Sequence, residues 1–180
     1  MLTNNNTYGI IIIERERDRK VVDTMKDNKI LVFDMDETLN RFYEVQGWLD
    51  DLHNNNPRPY ILAENKYDMD IINPILNLLK SQGWKIVVTT WLAKDSNKDY
   101  DDLVRICKTD WLNRYEFPYD EIHMVKYGTT KANCTRKLGG YQILFDDNEK
   151  IRNGWTLGAT VNANEDIIPF LTELLVKELD

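Results

Sequence analysis

Two short apolar runs, each ending in acid, constrain this chain more than any other feature. Ile30-Leu31-Val32-Phe33 runs into Asp34-Met35-Asp36, and Gln142 to Phe145 runs into Asp146-Asp147. A continuous apolar run with no polar alternation is the pattern of a strand buried on both faces, as in a parallel sheet. Lys85-Ile86-Val87-Val88 is a second run of this kind. Ile122 to Val125 is a third candidate strand, which makes Gln142 to Phe145 the fourth, and Trp155 to Val161 reads as a weaker fifth.

Helical patterns lie between these runs. Asn73-Pro74 reads as an N-cap followed by proline at the first helical position. Ile75, Leu78 and Leu79 then form one face, and Gly83 stops the helix. Tyr100 to Asn113 carries Leu103, Ile106, Cys107 and Trp111 on a helical face. Lys131 to Leu138 is a short helix stopped by Gly139-Gly140, and Glu165 to Leu179 is a last helix that buries Ile168, Leu171 and Leu175. Strands alternating with helices specify an α/β fold, a Rossmann-like parallel sheet with helices on both faces. Residues 29–180 form this domain, interrupted at about 40–68 by an insertion. Gly47, Pro57, Pro59 and three consecutive Asn break the rhythm there. Residues 1–28 read as a separate N-terminal arm. The run Ile10 to Ile13 in it is either an edge strand or a helix start, and its alternating charges from Glu14 to Lys20 suit a solvated helix or a partner contact.

The chain has 180 residues, enough for a real core. Its net charge of −7 weighs against tight binding of duplex nucleic acid, which needs a basic face. Cys107 and Cys134 have no ligand spacing around them, so they read as reduced thiols rather than a zinc site. No apolar run approaches the length of a membrane span, and the start of the chain lacks the pattern of a signal peptide. The expected location is the cytoplasm.

In an open parallel sheet, ligands bind beyond the carboxyl ends of the strands. After the first strand come Asp34 and Asp36, after the second Thr89, Thr90 and Trp91, after the third Lys126 and then Lys131, and after the fourth Asp146 and Asp147. Crowded carboxylates raise one another's pKa unless a cation intervenes. Magnesium is the natural one, because it favours hard oxygen ligands.

In this order, these residues resemble the four motifs of the haloacid dehalogenase (HAD) superfamily. Asp34-Met-Asp36-Glu-Thr-Leu is similar to its DxDxT motif, and Val87-Val88-Thr89 to its second, a strand ending in Thr or Ser. Lys131 resembles the third-motif lysine, with Lys126 as the alternative, and Leu144-Phe145-Asp146-Asp147 the acidic fourth. The resemblance implies that Asp34 attacks phosphorus to form an aspartyl-phosphate. Asp36 protonates the leaving oxygen and then activates water. It further implies magnesium on Asp34, the backbone carbonyl of Asp36, Asp146 and Asp147, with Thr89 on a phosphoryl oxygen and a lysine that neutralises charge before attack. An acid at position 36 points within the family to phosphatase or phosphotransferase chemistry.

The insertion resembles the cap by which such proteins select substrates. It holds Phe42, Tyr43, Trp48, Tyr60 and Tyr67, and Trp91 stands beside the second motif. Flat rings of this kind stack nucleobases. Phe42, Trp91, Thr90 and Lys126 are therefore the candidate substrate contacts. His53 and Arg58 are either phosphate or sugar contacts or solvated loop residues. The layout is similar to small-capped 5′(3′)-deoxyribonucleotidases and to the phosphatase half of polynucleotide kinases. The expected activity is hydrolysis of a small phosphate monoester, a nucleotide first. The alternatives are a nucleic-acid end phosphatase, or a regulatory protein that keeps the fold and assembles through its arm.

Overall fold

The structure is a computed structural model that describes residues 28–179. The arm assigned to residues 1–28 lies outside the described residues except for Asn28. Five parallel strands form one sheet in the order β3-β2-β1-β4-β5. They are β1 (Lys29–Phe33), β2 (Trp84–Trp91), β3 (Glu121–Val125), β4 (Tyr141–Asp146) and β5 (Thr160–Asn162). Side chains alternate across a strand, and here each face meets its own core. Leu31, Phe33, Ile86, Val88, Ile143 and Phe145 pack with helices α3 (Met69–Ser81), α4 (Lys98–Arg114) and α7 (Ile168–Leu179). Ile30, Val32, Val87 and Leu144 pack on the other side with α5 (Lys131–Thr135) and α6 (Glu149–Asn153). The expected Rossmann-like sheet with helices on both faces is therefore present.

The insertion is a small cap. Its base is closed by a bridge between Asn40 and Asn65 and by hydrogen bonds from Arg41 N to Glu64 O (2.9 Å) and Lys66 N to Leu39 O (2.8 Å). Inside it lie a 3-10 turn (Phe42–Glu44) and two short helices, α1 (Trp48–His53) and α2 (Arg58–Leu62). Phe42 and Tyr60 pack with Leu92, Tyr100 and Val104, so the cap has its own core against α4.

Several expectations need correction. α3 starts at Met69, capped by the Asp68 carboxylate on Asp70 N (2.9 Å), and Pro74 lies inside it. A stronger cap one turn earlier won over the Asn73-Pro74 signal. The buried face is consequently Met69, Ile72, Leu76 and Leu79, while Leu78 is exposed. α4 likewise buries Tyr100, Val104, Lys108, Trp111 and Leu112, and leaves Leu103 and Ile106 in solvent. β5 is only Thr160–Asn162. Trp155 instead fills the smaller core, and Ile168 on α7 is only half-buried.

Candidate active site

The site forms where β1 and β4 end side by side. Asp34 N donates to Phe145 O (2.9 Å), which continues the β1–β4 ladder by one step and sets Asp34 next to Asp146. Thr38 Oγ accepts from Asp147 N (3.1 Å), so the first acidic turn is tied to the second. Asn148 N donates to Asp146 Oδ1 (2.9 Å) and closes a tight turn there. One oxygen from each of Asp34, Asp146 and Asp147 falls within 4.8 Å of the others.

Lys131 lies between these acids. Its Nζ is 2.7 Å from Asp34 Oδ1 and 2.7 Å from Asp146 Oδ2, and it is buried. Burial alone would lower its pKa, but Asp34 and Asp146 outweigh that effect and raise it. Burial and the charge on Asp34 push Asp146 up to about 7 against the pull of Lys131, and the same causes push Asp147 to about 6. Acids this close, with Lys131 as the cation that bridges two of them, resist ionising together. A hard divalent cation relieves that repulsion, and the all-oxygen donor set suits magnesium.

Asp36 takes another direction. Its Oδ2 accepts from Lys108 Nζ at 2.5 Å, and the same ammonium donates to Thr90 Oγ at 2.7 Å. The Asp36 carboxylate is therefore held by Lys108 and is not one of the three clustered acids. Burial raises its pKa, Lys108 opposes the rise, and Asp34 adds to it.

β2 runs further than expected, so Thr89, Thr90 and Trp91 lie within the strand. Alternation sends Thr89 to the α5 face, where Lys131 lies, and Thr90 to the α4 face, where Lys108 lies. Thr89 Oγ is buried with no protein partner. Trp91 donates from Nε1 to Thr129 O (2.8 Å), and its ring lies 5.4 Å from Lys131 Nζ.

A cavity of about 560 Å³ opens on these groups. Asp34, Asp36, Thr90, Trp91, Lys131, Asp146 and Asp147 all line it, along with Tyr43, Trp48 and His53 from the cap. Phe42 also lines it, though it is only 3% exposed and packs in the cap core. Its neighbour Tyr43 is the exposed ring. Lys126 is exposed and does not line the cavity. Arg58 is engaged by Asp51 and by Gln46 O within the cap. Sequence reasoning missed Lys108 entirely. Its signal was a lysine in phase with Val104, Trp111 and Leu112, which places a charge on a buried helical face.

No protein-family model matches the sequence, and no curated protein matches it. Solved structures do resemble it. The D,D-heptose 1,7-bisphosphate phosphatase of B. bronchiseptica, solved with magnesium and phosphate, superposes with a TM-score of 0.51 at 11% identity. The match covers 83% of this chain and 99% of that one. The two chains share a fold. The corresponding phosphatase of Burkholderia thailandensis is also similar, with a TM-score of 0.47 at 11% identity over 82% of this chain and 99% of its own. Among the described residues, no helix is long and apolar enough to cross a membrane.

Proposed function

We propose that the protein is a magnesium-dependent phosphatase of the HAD type that hydrolyses small phosphate monoesters through an aspartyl-phosphate on Asp34. The observation that carries this reading is Lys131, which bridges Asp34 and Asp146 while Asp147 completes a three-carboxylate cluster. A fold shared with a phosphatase solved with magnesium and phosphate supports it.

Asp34, Asp146 and Asp147 would hold the cation, with the carbonyl of Asp36. When bound, magnesium screens the like charges of nucleophile and phosphate and offsets charge on the transferring group. The residues of the chain do the rest. Lys131 holds the Asp34 carboxylate at the cavity and balances its charge before phosphate arrives. The resemblance assigns a phosphoryl contact to Thr89, whose buried hydroxyl has no protein partner but does not line the cavity. Asp34 displaces the ester oxygen, which takes its proton from Asp36. The Asp36 carboxylate then removes a proton from water, whose oxygen attacks phosphorus and frees Asp34.

The favoured substrate class is a nucleoside monophosphate. Tyr43 and Trp48 of the cap, with ring centroids 4.6 Å apart, line the cavity, as do Trp91 and Tyr127, at 4.8 Å. Such faces suit a planar base. The decisive experiment is release of phosphate from a panel of monophosphates with magnesium or with EDTA. Magnesium-dependent turnover, abolished in Asp34→Asn, is expected. No turnover on any ester, or an Asp34→Asn variant as active as the parent, would overturn the reading.

A further inference from the structure

We infer that Lys108 is a positioning residue of this site, holding the Asp36 carboxylate in the orientation from which it exchanges protons at the cavity. The inference rests on the reading of Asp36 as the acid and base.

Lys108 is fully buried in the middle of α4, between Val104 and Trp111 on the face that packs against sheet and cap. A lysine there loses its hydration, and an apolar residue of similar size would pack at least as well. Its hydrogen bonds go to two cavity-lining residues, Asp36 Oδ2 and Thr90 Oγ. Its ammonium also lies 5.1 Å from the ring centroid of Tyr60, at cation–π distance. Strand, acidic turn and cap thus meet on one cation.

The consequence for Asp36 is an asymmetric carboxylate. Oδ2 is occupied by Lys108. Oδ1 is buried beside the Asn40 side chain, which helps to hold the charged form, so the carboxylate is fixed on both sides. A carboxylate free to rotate would offer either oxygen at the wrong angle. Lys108 removes that freedom without touching the substrate, and Thr90 in turn fixes Lys108. Thr90 therefore acts through the lysine, whereas Thr89 faces the nucleophile side.

The test is the rate at which leaving group is released in a single turnover, for an alkyl phosphate and for p-nitrophenyl phosphate. Nitrophenolate leaves without a proton, but an alkoxide does not. In Lys108→Met, alkyl release should slow by ~100-fold, within the range of general acid catalysis, while nitrophenolate release changes by less than about fivefold. Inhibition by inorganic phosphate should be unchanged. Parallel loss on both esters overturns the inference, since a merely structural lysine would produce it. Should Lys108→Met fail to fold, Lys108→Arg decides. The larger guanidinium keeps the charge and displaces the carboxylate, so an unchanged alkyl-to-aryl ratio overturns the inference. The functional reading fails separately: Asp36→Asn with full alkyl activity removes the acid itself, whereas an inactive Asp36→Asn beside a normal Lys108→Met removes only the role of the lysine.

Discussion

Asp146 sits against a lysine and another aspartate in a place that water barely reaches, and its proton affinity reflects all three. Its carboxyl rises from an ordinary 3.8 to about 7, and that of Asp147 to about 6. A group with a raised native pKa binds its proton more tightly when folded than when unfolded. Its stabilising contribution is complete below about 3.8 and is lost as pH rises through about 6 to 7. The melting temperature in EDTA should therefore fall between about pH 4 and pH 8, by this linkage. Magnesium should restore most of the loss, with a larger gain at pH 8 than at pH 5, because it binds the ionised form. Asp146→Asn should flatten the slope in EDTA. Thermal melts across this range, with and without the ion, are the measurement, and a melting temperature that climbs with pH in EDTA would contradict it. At this scale the acids were readable because each follows an apolar run. Lys108 was not, since a lysine on a helix is ordinarily solvated and only its phase with Val104 and Trp111 marks it as buried.

At the scale of elements, α4 is the post to which the cap is fastened. Trp111 Nε1 donates to Ala63 O (2.7 Å), Arg114 to Ile61 O (2.9 Å) and Tyr100 Oη to Asn56 O (3.1 Å). The first of these is buried at both ends. Trp111→Phe keeps an aromatic ring but strands the Ala63 carbonyl, at a cost of ~1–3 kcal/mol. Trp111 also belongs to the sheet core, so hydrogen exchange should show α2 losing more protection than β1 and β4 in this variant, and an equal loss in all three would argue against a local fastening. The phases of α3 and α4 were the least legible part of the fold. Asn73-Pro74 is a sound start signal, yet proline at the sixth residue of a helix already capped by Asp68 is tolerated in place. The face predicted from it was rotated accordingly. β2 was read too short for a related reason. Threonine is at home in strands as well as turns, so Thr89 and Thr90 extend the run, and alternation then splits them between the two sides of the sheet. That split, invisible while both were placed at the strand end, gives them different neighbours.

Across the whole molecule, the cavity exists only because two distant parts of the chain meet. The strand order places β1 between β2 and β4, so that Asp34, Asp146 and the end of β2 share one edge. This much follows from buried runs ending in acid. The wall opposite the acids does not follow from any run. It depends on how the cap folds back, with Tyr43 and Trp48 from the insertion and Trp91 and Tyr127 from the sheet edge bordering the same space. Aromatic content announced a cap core, but could not say which rings would be spent on it. Phe42 and Tyr60 are buried there, and Tyr43 is left exposed. If the exposed rings recognise a base, their loss should fall on binding rather than on chemistry. Stacking of one base on one ring is worth ~1–3 kcal/mol, which corresponds to a rise of about five- to 150-fold in KM. Trp48→Ala should thus raise KM for nucleoside monophosphates by that factor, leave kcat within about twofold, and leave inhibition by inorganic phosphate unchanged. A small aliphatic ester, which has no base to stack, should be hydrolysed by Trp48→Ala with its parental KM. Equal loss on both substrates would assign Trp48 to the packing of the cap and withdraw the nucleotide from the proposal, while leaving the phosphatase chemistry of Asp34 standing.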